Sequence, residues 1–202
     1  YEGERNEAGE MHGRGTLNFA NGDCYEGEFV DDMQEGLGTM KYADGGDVYE
    51  GEWVADVWEG RGTMRYGADG SVYEGEFKEG LKDGYGTMKF ANGNTFEGHY
   101  KDGTQEGPGT YRFADGRIQT GFYKANAEVG EGVAWTADKQ SAWRLFDGAP
   151  VGEEMMSRID DDIDEDDLPE EEAEEEEAEE ESEDDGDADT DTSTRDANTG
   201  DE

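Results

Sequence analysis

The sequence predicts an all-β protein: an elongated single-layer antiparallel sheet of consecutive β-hairpins over residues 1–152, followed by a disordered acidic tail over 153–202. Three observations carry this reading. The word YEGE begins at Tyr1, Tyr25, Tyr49 and Tyr73, each 24 positions after the last, and a variant, FEGH, begins at Phe96. Self-similarity at such a period marks a stacked repeat. Within a unit, two segments alternate apolar and polar residues, the period of a half-buried strand, and Asn-Gly or Asp-Gly separates units at Asn21, Asp44, Asp69, Asn92 and Asp115. The charge is also split: residues 153–202 hold 28 Asp/Glu and 2 Lys/Arg, against 29 and 14 in residues 1–152. The tail cannot bury enough apolar surface to offset its chain entropy.

The elements follow in order from the clearest copy. VYEGEFK (72–78) reads as a first strand, EGLKDG as a loop, YGTMKFA (85–91) as the returning strand, and NGN as the turn into the next unit. Asn-Gly and Asp-Gly suit type I′ turns, which need positive φ. A second word, Gly-x-Gly, recurs at Gly13, Gly36, Gly60, Gly84, Gly107 and Gly130. Gly46 and Gly67 are read as insertions in turns, as is one residue between Arg5 and Gly13.

Glycine at the centre of YEGE has a packing explanation. Tyr73, Gly75 and Phe77 share one face, as do Gly86, Met88 and Phe90 on the return. Without a Cβ, the glycine leaves room for a ring to lie flat across the backbone. On the opposite face Glu28, Glu52 and Glu76 are expected beside Lys41, Arg65 and Lys89, with Thr39, Thr63 and Thr87 between them; opposite charges across strands stabilise by roughly 0.2–1 kcal/mol.

The unit YEGEFKEGLKDGYGTMKFANG resembles a MORN repeat, the membrane occupation and recognition nexus motif. Six copies and a degenerate half, AWRLFDGAPVG (142–152), cover about residues 1–152. Within that family, the opening YEGERNEAGEMHGRG and an acidic tail after the repeats resemble the radial spoke head proteins of cilia and flagella. The resemblance implies a structural scaffold subunit in the cytoplasm and cytoskeleton, at the axoneme. It also implies contacts with other radial spoke head subunits, other MORN-repeat proteins among them, and signalling between the central pair and dynein arms. A second expectation from the family is an adaptor linking membrane to cytoskeleton. MORN repeats sometimes precede lipid-kinase or methyltransferase domains; neither is read here, and no enzyme is expected.

The residues give little catalytic chemistry. His12 and His99 stand in different units at positions that sister units fill with other residues, and Cys24 takes a turn position held elsewhere by Val48, Val72 and Thr95. A lone cysteine forms no internal disulfide and fits a reducing compartment. The Gly-x-Gly words lack the following Gly, helix and Lys of phosphate loops. DDGDADTD (184–191) fails the EF-hand pattern, with Thr190 where Gly belongs and Asp196 where Glu belongs. No cofactor and no metal are expected. Ser182 precedes acidic residues, a weak acidophilic-kinase context. Nucleic acid and direct membrane binding are disfavoured because both need basic clusters, whereas residues 1–152 are net acidic.

The candidate partner-binding residues are the aromatics of one face: Tyr25, Phe29, Tyr49, Trp53, Tyr73, Phe77, Phe96 and Tyr100. Leaving such a row wet would forgo several kcal/mol per unit, so a second copy, another repeat protein or a peptide is expected to cover it, the alternative being that curvature lets the rings cover one another. The tail is expected either to contact a basic surface, such as one on the central pair, or only to keep the chain soluble; Met156, Ile159 and Ile163 at its start could form a short amphipathic turn. A chain opening at Tyr1 is expected to lack its natural start.

Overall fold

The computed structural model describes residues 1–152 and the backbone of 156–157; the expectations for the rest of the tail, including Ile159, Ile163 and Ser182, lie outside the described residues. The strands are β1 (Glu2–Arg5), β2 (Met11–Asn18), β3 (Cys24–Val30), β4 (Met33–Lys41), β5 (Val48–Val54), β6 (Val57–Arg65), β7 (Val72–Lys78), β8 (Leu81–Lys89), β9 (Thr95–Lys101), β10 (Thr104–Arg112), β11 (Ile118–Lys124), β12 (Ala127–Trp135), β13 (Ser141–Phe146), β14 (Ala149–Pro150) and β15 (Met156–Ser157). β1 to β14 pair in chain order in one antiparallel sheet, and β15 adds to β13. Met156 therefore has strand backbone. Among the described residues there is no helix.

The returning strand starts earlier than the sequence suggested. β8 begins at Leu81, so EGLKDG is mostly strand, and only Glu79 and Gly80 turn. Both have positive φ (51° and 77°), as do Asp31 and Asp32 (50° and 70°) and Ala55 and Asp56 (47° and 67°). The I′-type pairs are thus these two-residue turns inside each unit. The Asn-Gly turns between units are longer: Gly22 alone has positive φ, its N–H donates to the Phe19 carbonyl, and Phe19 N–H donates to Asp23. That is a type I turn closed by a left-handed glycine. The turns at 42–47 and 66–71 run one residue longer, in keeping with Gly46 and Gly67 as insertions. Gly67 cannot be replaced: a Cβ there would run into the Gly45 carbonyl. Cys24, Val48, Val72 and Thr95 are first residues of strands rather than turn residues.

Register corrects the expected charge pairs. A bulge in each unit puts one strand out of step after the central glycine: Gly75 pairs Gly86, but Phe77 pairs Lys82. Lys89 lies on the unbulged side of the Gly75–Gly86 pair, opposite Val72, and its side chain meets Glu74 (Nζ–Oε2 3.0 Å), two residues before Glu76. Glu28, Glu52 and Glu76 lie instead against the bulge glycines Gly36, Gly60 and Gly84, whose φ values are 65°, 66° and 104°. Glu52 Oε1 accepts the Arg61 N–H at 2.9 Å.

Both rims of the sheet are stitched from unit to unit. On one rim Asp32 accepts from Met11 N–H, Asp56 from Gln34 N–H and Asn126 from Gln105 N–H, at 2.7–2.8 Å. On the other, Asp23, Asp47 and Asn94 accept from Ala43, Gly67 and Ala114. These bonds tie each turn to the next and hold strained left-handed residues in place.

Candidate interaction site

The word YEGE builds a local unit. The Tyr73 side chain folds forward along its own strand, and its hydroxyl donates to the Glu76 carbonyl at 3.1 Å; Tyr25 and Tyr49 do the same to Glu28 and Glu52 at 3.1 and 3.0 Å. The ring then covers the intervening glycine. A Cβ on Gly75 would stand 2.5 Å from the Tyr73 hydroxyl and 2.6 Å from Gly86 Cα. Glycine faces glycine across every pairing from Gly3↔Gly15 to Gly121↔Gly132, a continuous stripe from β1 to β12.

Above this stripe the eight candidate aromatics form one chain of edge-to-face contacts. Phe29, Tyr25, Trp53, Tyr49, Phe77, Tyr73, Tyr100 and Phe96 follow one another with centroids 5.0–5.7 Å apart and planes 80–89° apart. Such geometry satisfies the ring quadrupoles and contributes about 0.5–1.5 kcal/mol per pair beyond burial. The rings cover one another rather than waiting for a partner: all eight are 0–4% exposed within the single chain. Each ring is sealed by its neighbours in the preceding and following units, so the row is a core, closed to direct partner contact in the isolated chain.

One position per unit on this face varies. Opposite the second aromatic stand Gln34, Trp58, Lys82, Gln105 and Glu128 in successive units. Trp58 stacks on Tyr49 at 4.7 Å. Lys82 Nζ lies over three rings, 5.2 Å from Tyr100, 5.4 Å from Tyr73 and 5.9 Å from Tyr66; burial holds its pKa below the usual lysine range. Burial likewise pushes the Tyr25 and Tyr100 phenols up to about 12, the Glu28 charge adding to the effect at Tyr25.

The opposite face is polar. Thr16, Glu26, Thr39, Glu50, Thr63, Glu74, Thr87 and Glu97 pair in an alternating ladder. An open depression of about 880 Å³ runs along it between Arg14 and Arg65. His12 stands beside Asp31 at 3.5 Å, and His99 lies edge-on to Tyr85 in a different unit. Among the described residues no group of three His, Cys, Asp or Glu side chains is placed to hold a metal ion, and no helix is long and apolar enough to cross a membrane.

Sequence reasoning missed the exposed apolar residues of this polar face. Val30, Met33, Leu37, Val54 and Val57 are 40–61% exposed. The signal was in the repeats: sister units carry Lys78, Lys101 and Lys124 where Val30 and Val54 stand.

A family model, the MORN repeat, matches residues 7–24, 25–47, 49–71, 73–95 and 96–116, more than half of the chain. The last full unit (118–135) and the degenerate half lie outside these matches. A comparison with curated proteins finds no match. Among solved structures, the SAS-4 (dCPAP) TCP domain of Drosophila melanogaster in complex with a proline-rich motif of Ana2 (dSTIL) is 15% identical, with a TM-score of 0.36 over 71% of this chain and 88% of that one. The G-box domain of the microcephaly protein CPAP is 12% identical, with a TM-score of 0.39 over 74% of this chain and 88% of that one. The TCP10c domain of Drosophila melanogaster Sas-4 is 15% identical, with a TM-score of 0.36 over 66% and 90%.

Proposed function

Since the chain belongs to the MORN-repeat family, whose repeats suggest a scaffold or adaptor role, we propose that it is a non-enzymatic scaffold subunit of the axonemal radial spoke head. The observation that carries the scaffold part is mechanical. An unbroken ring chain on one face and hydrogen-bonded turns on both rims make successive units a stiff ribbon that holds attachment points at fixed spacing. The spoke-head assignment rests on the resemblance of residues 1–15 and of the acidic tail to radial spoke head proteins. In this reading the protein resides in the cytoplasm at the axoneme of cilia and flagella, binds other spoke-head subunits, including other MORN-repeat proteins, and helps regulate motility through the central pair. The tail, with 28 acidic residues in 153–202, would meet a basic central-pair surface within roughly 8 Å at physiological salt.

The test is fractionation of ciliated cells expressing the tagged full chain. The protein is expected to stay with the detergent-insoluble axoneme and to co-purify with spoke-head subunits. Release with the detergent-soluble membrane fraction would overturn the reading in favour of the membrane–cytoskeleton adaptor.

A further inference from the structure

The internal repeats act as controls on one another, and they isolate a surface that folding does not require. The last residue of the first strand is Val30 and Val54 in two successive units, then Lys78, Lys101 and Lys124 in the next three. The first residue of the return strand is Met33 and Val57, then Leu81, Thr104 and Ala127. Units with Lys101 and Thr104, or Lys124 and Ala127, form the same hairpin with the same two-residue turn. The aliphatic residues are therefore not a demand of the fold. Val30 pairs Met33 and Val54 pairs Val57 across their turns, on the polar face, and all four are 40–50% exposed. Leu37, 61% exposed, joins them at the position that Arg14 and Arg61 hold in the flanking units.

The charge around this patch is one-sided. Residues 26–59 contain eleven Asp/Glu and a single basic residue, Lys41; from the preceding unit only Arg14 reaches in, 4.0 Å from Glu28. Glu28 and Glu35 are paired on the same face, between the Val30–Met33 rung and Leu37. In one later unit the equivalent carboxylate, Asp83, meets Lys101 at 2.7 Å; Glu35 has Val54 on the neighbouring strand and uses one oxygen on Ala55 N–H.

We propose that this patch is a docking site for a segment of a partner protein in which aliphatic side chains are interspersed with Lys or Arg. Aliphatic groups would cover Val30, Met33, Val54 and Val57, and cations would meet the acidic border that lacks its lysines. A second copy of this chain is a poor occupant, because it would bring the same acidic border into contact. The inference goes beyond the spoke-head reading and holds for whatever assembly the protein serves.

The test uses the full chain and two fluorescent synthetic peptides of equal charge, one alternating Leu and Lys, the other Ser and Lys. Val54→Thr with Val57→Thr is neutral and β-compatible, and Leu37→Arg, which borrows the residue of the flanking units, is an independent second variant. Wild type is expected to bind the Leu/Lys peptide roughly tenfold more tightly than either variant, at unchanged melting temperature. The Ser/Lys peptide, which reports the tail and general charge, should bind wild type and the Val54→Thr/Val57→Thr variant alike. Equal affinity of the Leu/Lys peptide for wild type and both variants would overturn the proposal. So would a wild-type dimer, seen by sedimentation, that the variants abolish, since the occupant would then be a second copy. Neither result bears on axonemal fractionation.

Discussion

The ring of Tyr73 lies across Gly86 of the neighbouring strand while its hydroxyl donates to the Glu76 carbonyl of its own. Two words of the repeat, YEGE and Gly-x-Gly, thus meet in one contact. Gly86→Ala would put a methyl into the ring and is expected to cost about 1–3 kcal/mol. Tyr73→Phe keeps the cover and loses only the hydrogen bond, about 1 kcal/mol. Urea denaturation midpoints separate the two; a Gly86→Ala cost below that of Tyr73→Phe would mean the ring yields freely.

Alkali should unfold the repeat region cooperatively. Burial pushes Tyr25 and Tyr100 up to about 12 and raises Tyr49 and Tyr73 as well, whereas an unfolded tyrosine ionises near about 10. The neutral phenol is favoured in the fold, so this stability is full below about pH 10 and is lost as pH rises toward 12. Lys82 works the other way: its lowered pKa adds stability as pH approaches the unfolded lysine value, but it is one group against several tyrosines. Tyrosinate absorbance is expected to rise together with loss of far-UV circular dichroism. Ionisation of the whole set with the sheet intact would contradict the burial.

The rim bonds make a separable contribution. Asp56→Ala removes the acceptor for Gln34 N–H, and Asn94→Ala removes the acceptor for Ala114 N–H on the other rim. Each is expected to cost about 1 kcal/mol, and the two should add, being far apart with no shared partner. Thermal melts of the single and double variants check this; two variants without effect would show the rims to be ornamental to stability.

Much of this fold was legible because each unit repeats the same local instruction. Alternation at Tyr73, Gly75 and Phe77 placed ring and glycine on one face, and the structure keeps them there. Strand ends were less legible. Ala55, Asp56 and Glu79 turn the chain with positive φ although none is glycine, because rim hydrogen bonds from the adjacent unit hold them, and such bonds leave no local mark. The Glu76–Lys89 pairing fails for a different reason: in the antiparallel hairpin Lys89, at the end of the return strand, lies opposite Val72 at the start of the first, so Glu76 falls beyond the Gly75–Gly86 pair and out of its reach. Burial of Tyr25 to Tyr100 stays open in the sequence, because the pattern shows which residues share a face, not whether rings of successive units reach one another or need a partner. The exposed patch was concealed by attention to what repeats, when Val30 and Val54 differ from Lys78 and Lys101.

The last full unit departs from the pattern, and that departure carries a pH signature. Gln119 stands where Tyr25, Tyr49, Tyr73 and Phe96 stand in earlier units. No ring covers Gly121 and Gly132; the Glu128 carboxylate fills the space, 2.6 Å from where a Gly121 Cβ would lie, and accepts the Gln119 amide. Burial raises the Glu128 pKa, with the Gln119 bond opposing it, and Oε1 is buried without a partner among the described residues. An acid with a raised folded pKa contributes stability that is full below the unfolded value, about 4.3, and falls as pH rises through the folded one. Glu128→Gln, the residue of Gln34 and Gln105, removes that loss. The variant is expected to exceed wild type in urea midpoint at neutral pH, with the gap closing in mild acid. Adding Gln119→Tyr should restore a ring over the glycines and contribute about 0.5–1.5 kcal/mol more. Urea midpoints across pH, taken as variant minus wild type so that other carboxylates cancel, are the measurement; a difference independent of pH would show that Glu128 is ionised as readily in the fold as out of it.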